Sequence, residues 1–126
     1  MAGGFTLPAK SYRDLVAWKK AFDLALAVYA ETKYFPIEEK YGITAQIRKA
    51  CVSIPSNIAE GEGRKSANEF RRYLFIALGS LKETETQILI SNALGYLKPG
   101  KADKLLTQSD EAGRLLTGLR KSLAPH

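Results

Sequence analysis

The chain has 126 residues, 45% of them hydrophobic, enough for one globular domain with a core of ordinary size. Its formal net charge of +6 permits a polyanionic partner. The excess, however, is spread as +1 over residues 1–41, +2 over 42–95 and +3 over 96–126, with no block of like charge, so a solvated basic surface explains it as well. A single cysteine, Cys51, excludes an intrachain disulfide framework. A single histidine, His126, excludes a di-iron bundle site, a zinc constellation and a Ser-His or Cys-His nucleophile. No window approaches 18 uninterrupted apolar residues and the start lacks a signal-peptide run. The expectation is a soluble cytoplasmic protein that neither enters a membrane nor needs a cofactor or metal.

Residues 1–10, rich in glycine and carrying Pro8, read as a disordered N-terminal tail, and residues 11–126 as the domain. A first helix is expected from Ser11 or Asp14 to about Lys33, with Leu15, Trp18, Phe22, Ala25, Leu26 and Tyr29 as its core face. Ala17, Ala21, Leu24 and Val28 make a second apolar face on the opposite side. Phe35-Pro36 ends the helix, because a residue before proline is pushed out of helical space. The second helix starts at Ile43, with Ile43, Ile47, Ala50, Cys51, Ile54 and Ile58 in one stripe. Beside it runs an uncharged polar border of Gln46, Ser53 and Asn57 that ends at Glu60. Pro55 predicts a kink or restart near Ser53–Pro55.

Gly61 and Gly63 are expected to break that helix. Ser66 and Glu69 then form a capping box for a third helix running to about Leu94. Its inner stripe is Phe70, Leu74, Ala77, Leu81, Thr84 and Ile88. Its border of Tyr73, Ser80, Gln87 and Ser91 matches the polar border of the second helix, and its far face carries Phe75, Ile76, Gly79, Leu89 and Ile90. A helix apolar on two sides is buried on two sides, so Phe75, Gly79 and Ile90, with Leu24 and Val28 of the first helix, read as an oligomer interface. Gly79 marks a close backbone approach. A last helix, about Ala102 to Leu123, places Leu105, Ala112, Leu116, Leu119 and Leu123 inward. The fold class is therefore all-α, an up-down-up-down four-helix bundle with its second helix kinked near Pro55.

Few residues suit chemistry. Cys51 lies on an apolar stripe, where a small buried side chain is the ordinary reading. Glu60, Glu83 and Glu85 read as partners in surface ion pairs. Gly61 to Ser66 lacks the spacing of a phosphate-binding loop and suffices as a turn between helices. The basic residues Arg48, Lys49, Arg64, Lys65, Arg71 and Arg72 gather in sequence around the junction of the second and third helices. With no aromatic residue interleaved, they suit contact with nucleic-acid phosphates rather than base stacking.

The runs Tyr12-Arg13-Asp14-Leu15 with Trp18, Tyr41-Gly42-Ile43, Gln46 to Ala50, Ser53 to Gly61 (SIPSNIAEG) and Ala77 to Leu81 resemble one bacterial family, the four-helix bundle proteins called 23S rRNA intervening-sequence proteins. The resemblance covers about Tyr12 to Leu97, and the last helix carries no matching motif. It implies a bundle assembled as a ring, a homopentamer, with no catalytic residues to carry over. The related accessory variability proteins of diversity-generating retroelements are basic rings that bind nucleic acid and a reverse transcriptase. Two readings stand: a non-enzymatic oligomeric bundle that binds RNA or DNA through backbone phosphates, or a structural or protein-interaction ring with no nucleic-acid role. In both, Gln46, Ser53, Asn57 and Glu60 are expected to meet Tyr73, Ser80 and Gln87 in a hydrogen-bonded seam.

Overall fold

The computed structural model describes residues 11–125; the expected disordered tail, 1–10, and His126 lie outside them. Ser11 opens the fold by capping a short 3-10 turn, Tyr12–Asp14, its hydroxyl accepting from the Arg13 amide at 3.1 Å. Leu15 is extended, so the first α-helix begins only after it. Four helices follow: α1 (Val16–Thr32), α2 (Ile43–Gly63), α3 (Ala67–Ala93) and α4 (Lys101–Ser122). Among the described residues there is no strand.

Side-chain pairs fix the direction of each helix against its neighbour. Lys20 pairs with Glu111 and Glu31 with Lys101, so α1 and α4 run antiparallel. Ser53 meets Ser80 and Glu60 meets Tyr73, so α2 and α3 do too. Glu85 accepts from Ser109 while the Arg71 carbonyl accepts from Arg120, which gives the same answer for α3 and α4. Arg48 donates to Thr32 across α1 and α2. Each helix packs on two others in the cyclic order α1-α2-α3-α4, so α1 and α3 are diagonal.

The core is built from one stripe of each helix. Ile47, Cys51, Ile54 and Ile58 of α2, Leu74, Ala77, Leu81 and Ile88 of α3, and Leu105, Ala112 and Leu116 of α4 are buried where the 3.6-residue period places them. On α1 the expected core face is split: Ala25 is buried and Leu15 and Trp18 pack against the core, but Phe22, Leu26 and Tyr29 are exposed, and the opposite face is buried instead. Leu24 and Val28 are 0% exposed, with Ala17 and Ala21 buried beside them, whereas Phe22 is 43% and Leu26 56% exposed. Leu24 and Val28 therefore belong to the core and not to an oligomer interface. The reason is size: a stripe of alanines lets α1 come close to α2 and α4, which the bulky stripe of Trp18, Phe22 and Tyr29 would hold off.

Three turns differ in detail from the sequence reading. α2 continues through Pro55 as one helix instead of restarting; Gly61 lies inside it and Gly63 is its last residue, so it ends at the expected glycines. Bonds from the Ser56 hydroxyl to the Val52 carbonyl (2.8 Å) and from the Asn57 amide to the Ser53 carbonyl (2.8 Å) reinforce the turn around the proline. The left-handed residue of the turn that follows is not a glycine but Lys65, at φ 59°, a position that costs a side-chain-bearing residue about 1–2 kcal/mol. The capping box is half formed. The Ser66 hydroxyl accepts from the Glu69 amide at 3.3 Å, while the Glu69 carboxylate turns to Arg72.

α2 and α3 come into close contact near this turn. A Cβ placed on Gly61 would stand 2.6 Å from Tyr73 Cβ and 3.1 Å from Phe70 Cδ1. By contrast, a Cβ on Gly118 of α4 would meet nothing within 4 Å. Urea unfolding should separate the two. Gly61→Ala is expected to lose about 1–3 kcal/mol through overpacking, and Gly118→Ala to gain up to about 1 kcal/mol from helix propensity. Similar shifts for both would contradict the close approach at Gly61.

Candidate functional site

The tip of the α2–α3 hairpin collects Arg64, Lys65, Arg71 and Arg72. Arg48 and Lys49 are not part of this group: Lys49 lies 15 residues before Arg64 on α2, about 22 Å along the axis. Arg48 is half-buried, donating to Thr32 Oγ1 at 2.8 Å with its guanidinium 4.6 Å from the Tyr29 ring centre, so it is a packing residue of the α1–α2 contact. Lys49 is exposed.

At the tip, carboxylates answer most of the charge. Tyr73 donates its hydroxyl proton to Glu60 Oε2 at 3.0 Å, and Arg64 donates to that same oxygen at 3.1 Å and to the Tyr73 oxygen at 2.8 Å. Lys65 pairs with Glu62 at 2.9 Å and Arg72 with Glu69 at 3.2 Å. The hydrogen bond and charge of Arg72 hold the Glu69 carboxyl below its ordinary range. Such exposed pairs add little stability. Their consequence is electrostatic: three of the four cations each have an anion within ion-pair distance, and Arg71 alone has none among the described residues. An aromatic ring also enters the cluster unforeseen, since Arg64 and Arg72 stand 5.3 Å and 4.6 Å from the Tyr73 ring centre.

The polar residues between α2 and α3 are brought together in part. Ser53 and Ser80 share a hydrogen bond of 2.9 Å, and the Asn57 amide donates to Ser53 Oγ at 2.9 Å and to the Ser53 carbonyl. With Glu60 and Tyr73 at the tip, this makes a continuous polar line. The same antiparallel register sets Gln46 opposite Gln87, but Gln46 is exposed and the buried Gln87 Oε1 has no donor.

Cys51 is fully buried, its thiol donating to the Arg48 carbonyl at 3.3 Å, and burial pushes its pKa up to about 11. A thiol so poorly ionised is a core residue and no nucleophile. Among the described residues no group of His, Cys, Asp and Glu could hold a metal ion, and no helix is long and apolar enough to cross a membrane.

One surface groove is apolar. Tyr12, Trp18, Phe22, Leu26 and Tyr29 face Val52 and Pro55 across a groove of about 460 Å³ between α1 and α2. Tyr12 packs edge-on against Trp18 at 5.3 Å, and Trp18 stacks on Phe22 at 5.0 Å. Of these, Phe22, Leu26 and Tyr29 are expected in the core from their spacing and are exposed instead. The signal for the alternative was present, because only the alanine stripe beside them permits close helix contact. On the diagonal helix, the outer face of α3 presents Phe75 (63% exposed) and Ile90 (45%), with Ile76 and Leu89 also exposed. Gly79 lies on that face with open space above it, so the close approach expected there does not occur within the chain.

The family model described as 23S rRNA-intervening sequence protein matches residues 13–118. The chain belongs to that family. The match to the 23S rRNA-intervening sequence protein family thus reaches through most of α4, where no motif was legible. A solved structure similar to it is that of a protein of unknown function from the S23 ribosomal protein family of Bacteroides thetaiotaomicron. The two share 27% identity and a TM-score of 0.77, over 84% of this chain and 99% of that one. No curated protein matches the chain.

Asn57 tests the polar line. Its amide holds the Ser53 hydroxyl that bonds Ser80, so Asn57→Ala should lower unfolding stability by about 1 kcal/mol or more, the usual worth of a partly buried hydrogen-bonding group. A change within about 0.5 kcal/mol, as for a surface substitution, would show that the line is incidental to the fold.

Proposed function

We propose that this member of the family is a non-enzymatic, self-assembling bundle, a structural and protein-interaction module that works as a homo-oligomeric ring. The observation that carries the proposal is the pair of apolar faces on different sides of one bundle, the aromatic groove of α1 and α2 and the outer face of α3. One is concave and the other is a single convex helix, so the α3 face of one copy is shaped to seat in the groove of the next. An interface between unlike faces is heterologous, and it closes into a ring when the rotation per copy divides a full turn. Left uncovered, Phe22, Leu26 and Tyr29 on one face and Phe75, Leu89 and Ile90 on the other would stand in water, and adjoining exposed apolar residues of this kind mark interaction surfaces. Gly79, open within the chain, then admits the neighbouring backbone. About five copies is the count that the family resemblance implies.

Binding of RNA or DNA through phosphates is the second reading, favoured by the net charge of +6. The geometry supports it less well. Glu60, Glu62 and Glu69 answer Arg64, Lys65 and Arg72 at the tip, so a ring would repeat an alternating rim rather than a continuous basic one.

Light scattering on the purified protein at micromolar concentration should return a multiple of 13.9 kDa, with about five copies expected. A stable monomer of 13.9 kDa would overturn the proposal.

A further inference from the structure

We infer that the groove between the start of α3 and the end of α4 is a binding site for a single phosphate group. Arg71, Arg120 and Lys121 converge there with Thr117 on a cavity of about 150 Å³, floored by Leu78 and Ala124. No carboxylate lines it, and none pairs with these three cations among the described residues. The acidic groups of the adjoining α3–α4 groove are otherwise engaged: Glu85 by Lys82 and Ser109, Asp110 by Arg114.

Two further details set this cluster apart from an ordinary basic surface. The Arg71 Nε–H is buried and has no acceptor in the protein, an arrangement that native proteins mostly avoid and that a bound ion or water satisfies. Arg120 is fixed in place, its Nε donating to the Arg71 carbonyl at 3.3 Å and its guanidinium 5.2 Å from the Phe75 ring centre. Cations in the last turn of a helix are favoured by its dipole, which accounts for Arg120 and Lys121. It does not account for Arg71, in the second turn of α3, facing them. Three like charges around one cavity repel, and an oxyanion between them removes the repulsion while accepting the donors. The cavity has the volume of about five waters, room for a tetrahedral oxyanion but not for a nucleoside. The ligand is therefore free phosphate or the terminal monoester of a small molecule whose remainder stays outside.

Its cations lie outside the α1–α2 groove, but Arg120 stands beside Phe75 of the α3 face, so the oligomeric state is measured by light scattering alongside each titration to keep the two proposals separate. The test follows the Arg71 and Arg120 side-chain Nε–H signals by NMR during titration with inorganic phosphate, 5′-AMP or chloride at matched ionic strength. Saturable one-site shifts with phosphate are expected. Equal affinity for 5′-AMP identifies a monoester as an accepted source, and a response to phosphate alone identifies the free ion. Lys121 is exposed and can be changed without disturbing the core, so Lys121→Gln should weaken binding by about 10-fold, the scale of one charge-assisted hydrogen bond. A response to chloride equal to that with phosphate would overturn the inference. So would an unchanged affinity in Lys121→Gln, or a response to an RNA oligonucleotide alone.

Discussion

The contact on which the rest of this structure depends is the approach of α2 to α3 at Gly61. With no side chain there, the ring of Tyr73 lies directly on the α2 backbone, and its hydroxyl reaches Glu60. That contact fixes the antiparallel register, which in turn sets Ser53, seven residues back along α2, against Ser80, seven residues on along α3. A side chain at Gly61 would push the helices apart at the tip. It would separate the polar line from its partners, which is costly for groups removed from water. The register also decides what remains outside: with Leu74, Ala77 and Leu81 turned inward, Phe75, Ile76 and Gly79 can only face away.

Surplus apolar surface is the second constraint. Both α1 and α3 carry two apolar faces, and a four-helix bundle buries only one from each. On α1 the choice falls to the alanine stripe, because close packing outweighs the larger area of the aromatic stripe when neighbouring helices must approach. Trp18, Phe22 and Tyr29 are left to line a groove against Pro55. The ion-paired hairpin tip and the apolar groove divide the molecule into a surface suited to water and surfaces suited to protein.

Much of this was legible from residue spacing. The stripes of α2 and α4 were readable because each has one strongly apolar face, and the inner stripe of α3 because Tyr73, Ser80, Gln87 and Ser91 border it. Ser53, Asn57 and Ser80 were readable because uncharged polar residues rarely fill a solvated helix face. Leu24 and Val28 were misplaced because hydrophobicity alone ranks Trp, Phe and Leu above Ala, while helix packing ranks them by how closely backbones can come. The left-handed position at Lys65 was hidden because glycines nearby offered a more obvious place for it, yet Gly61 is spent on packing. Arg120 and Lys121 escaped notice as partners of Arg71 because 49 residues separate Arg71 from Arg120 in sequence and only the α3–α4 contact unites them.

The central claim is that unlike apolar faces of neighbouring copies bind one another, and complementation between two crippled variants tests it most directly. Leu26→Arg closes the groove and Phe75→Arg closes the α3 face, so each variant alone retains one usable surface and no partner for it. By sedimentation each should be a 13.9 kDa monomer, and their mixture should give a one-to-one dimer through the two intact faces. A mixture that stays monomeric, or single variants that remain fully assembled, would contradict the account.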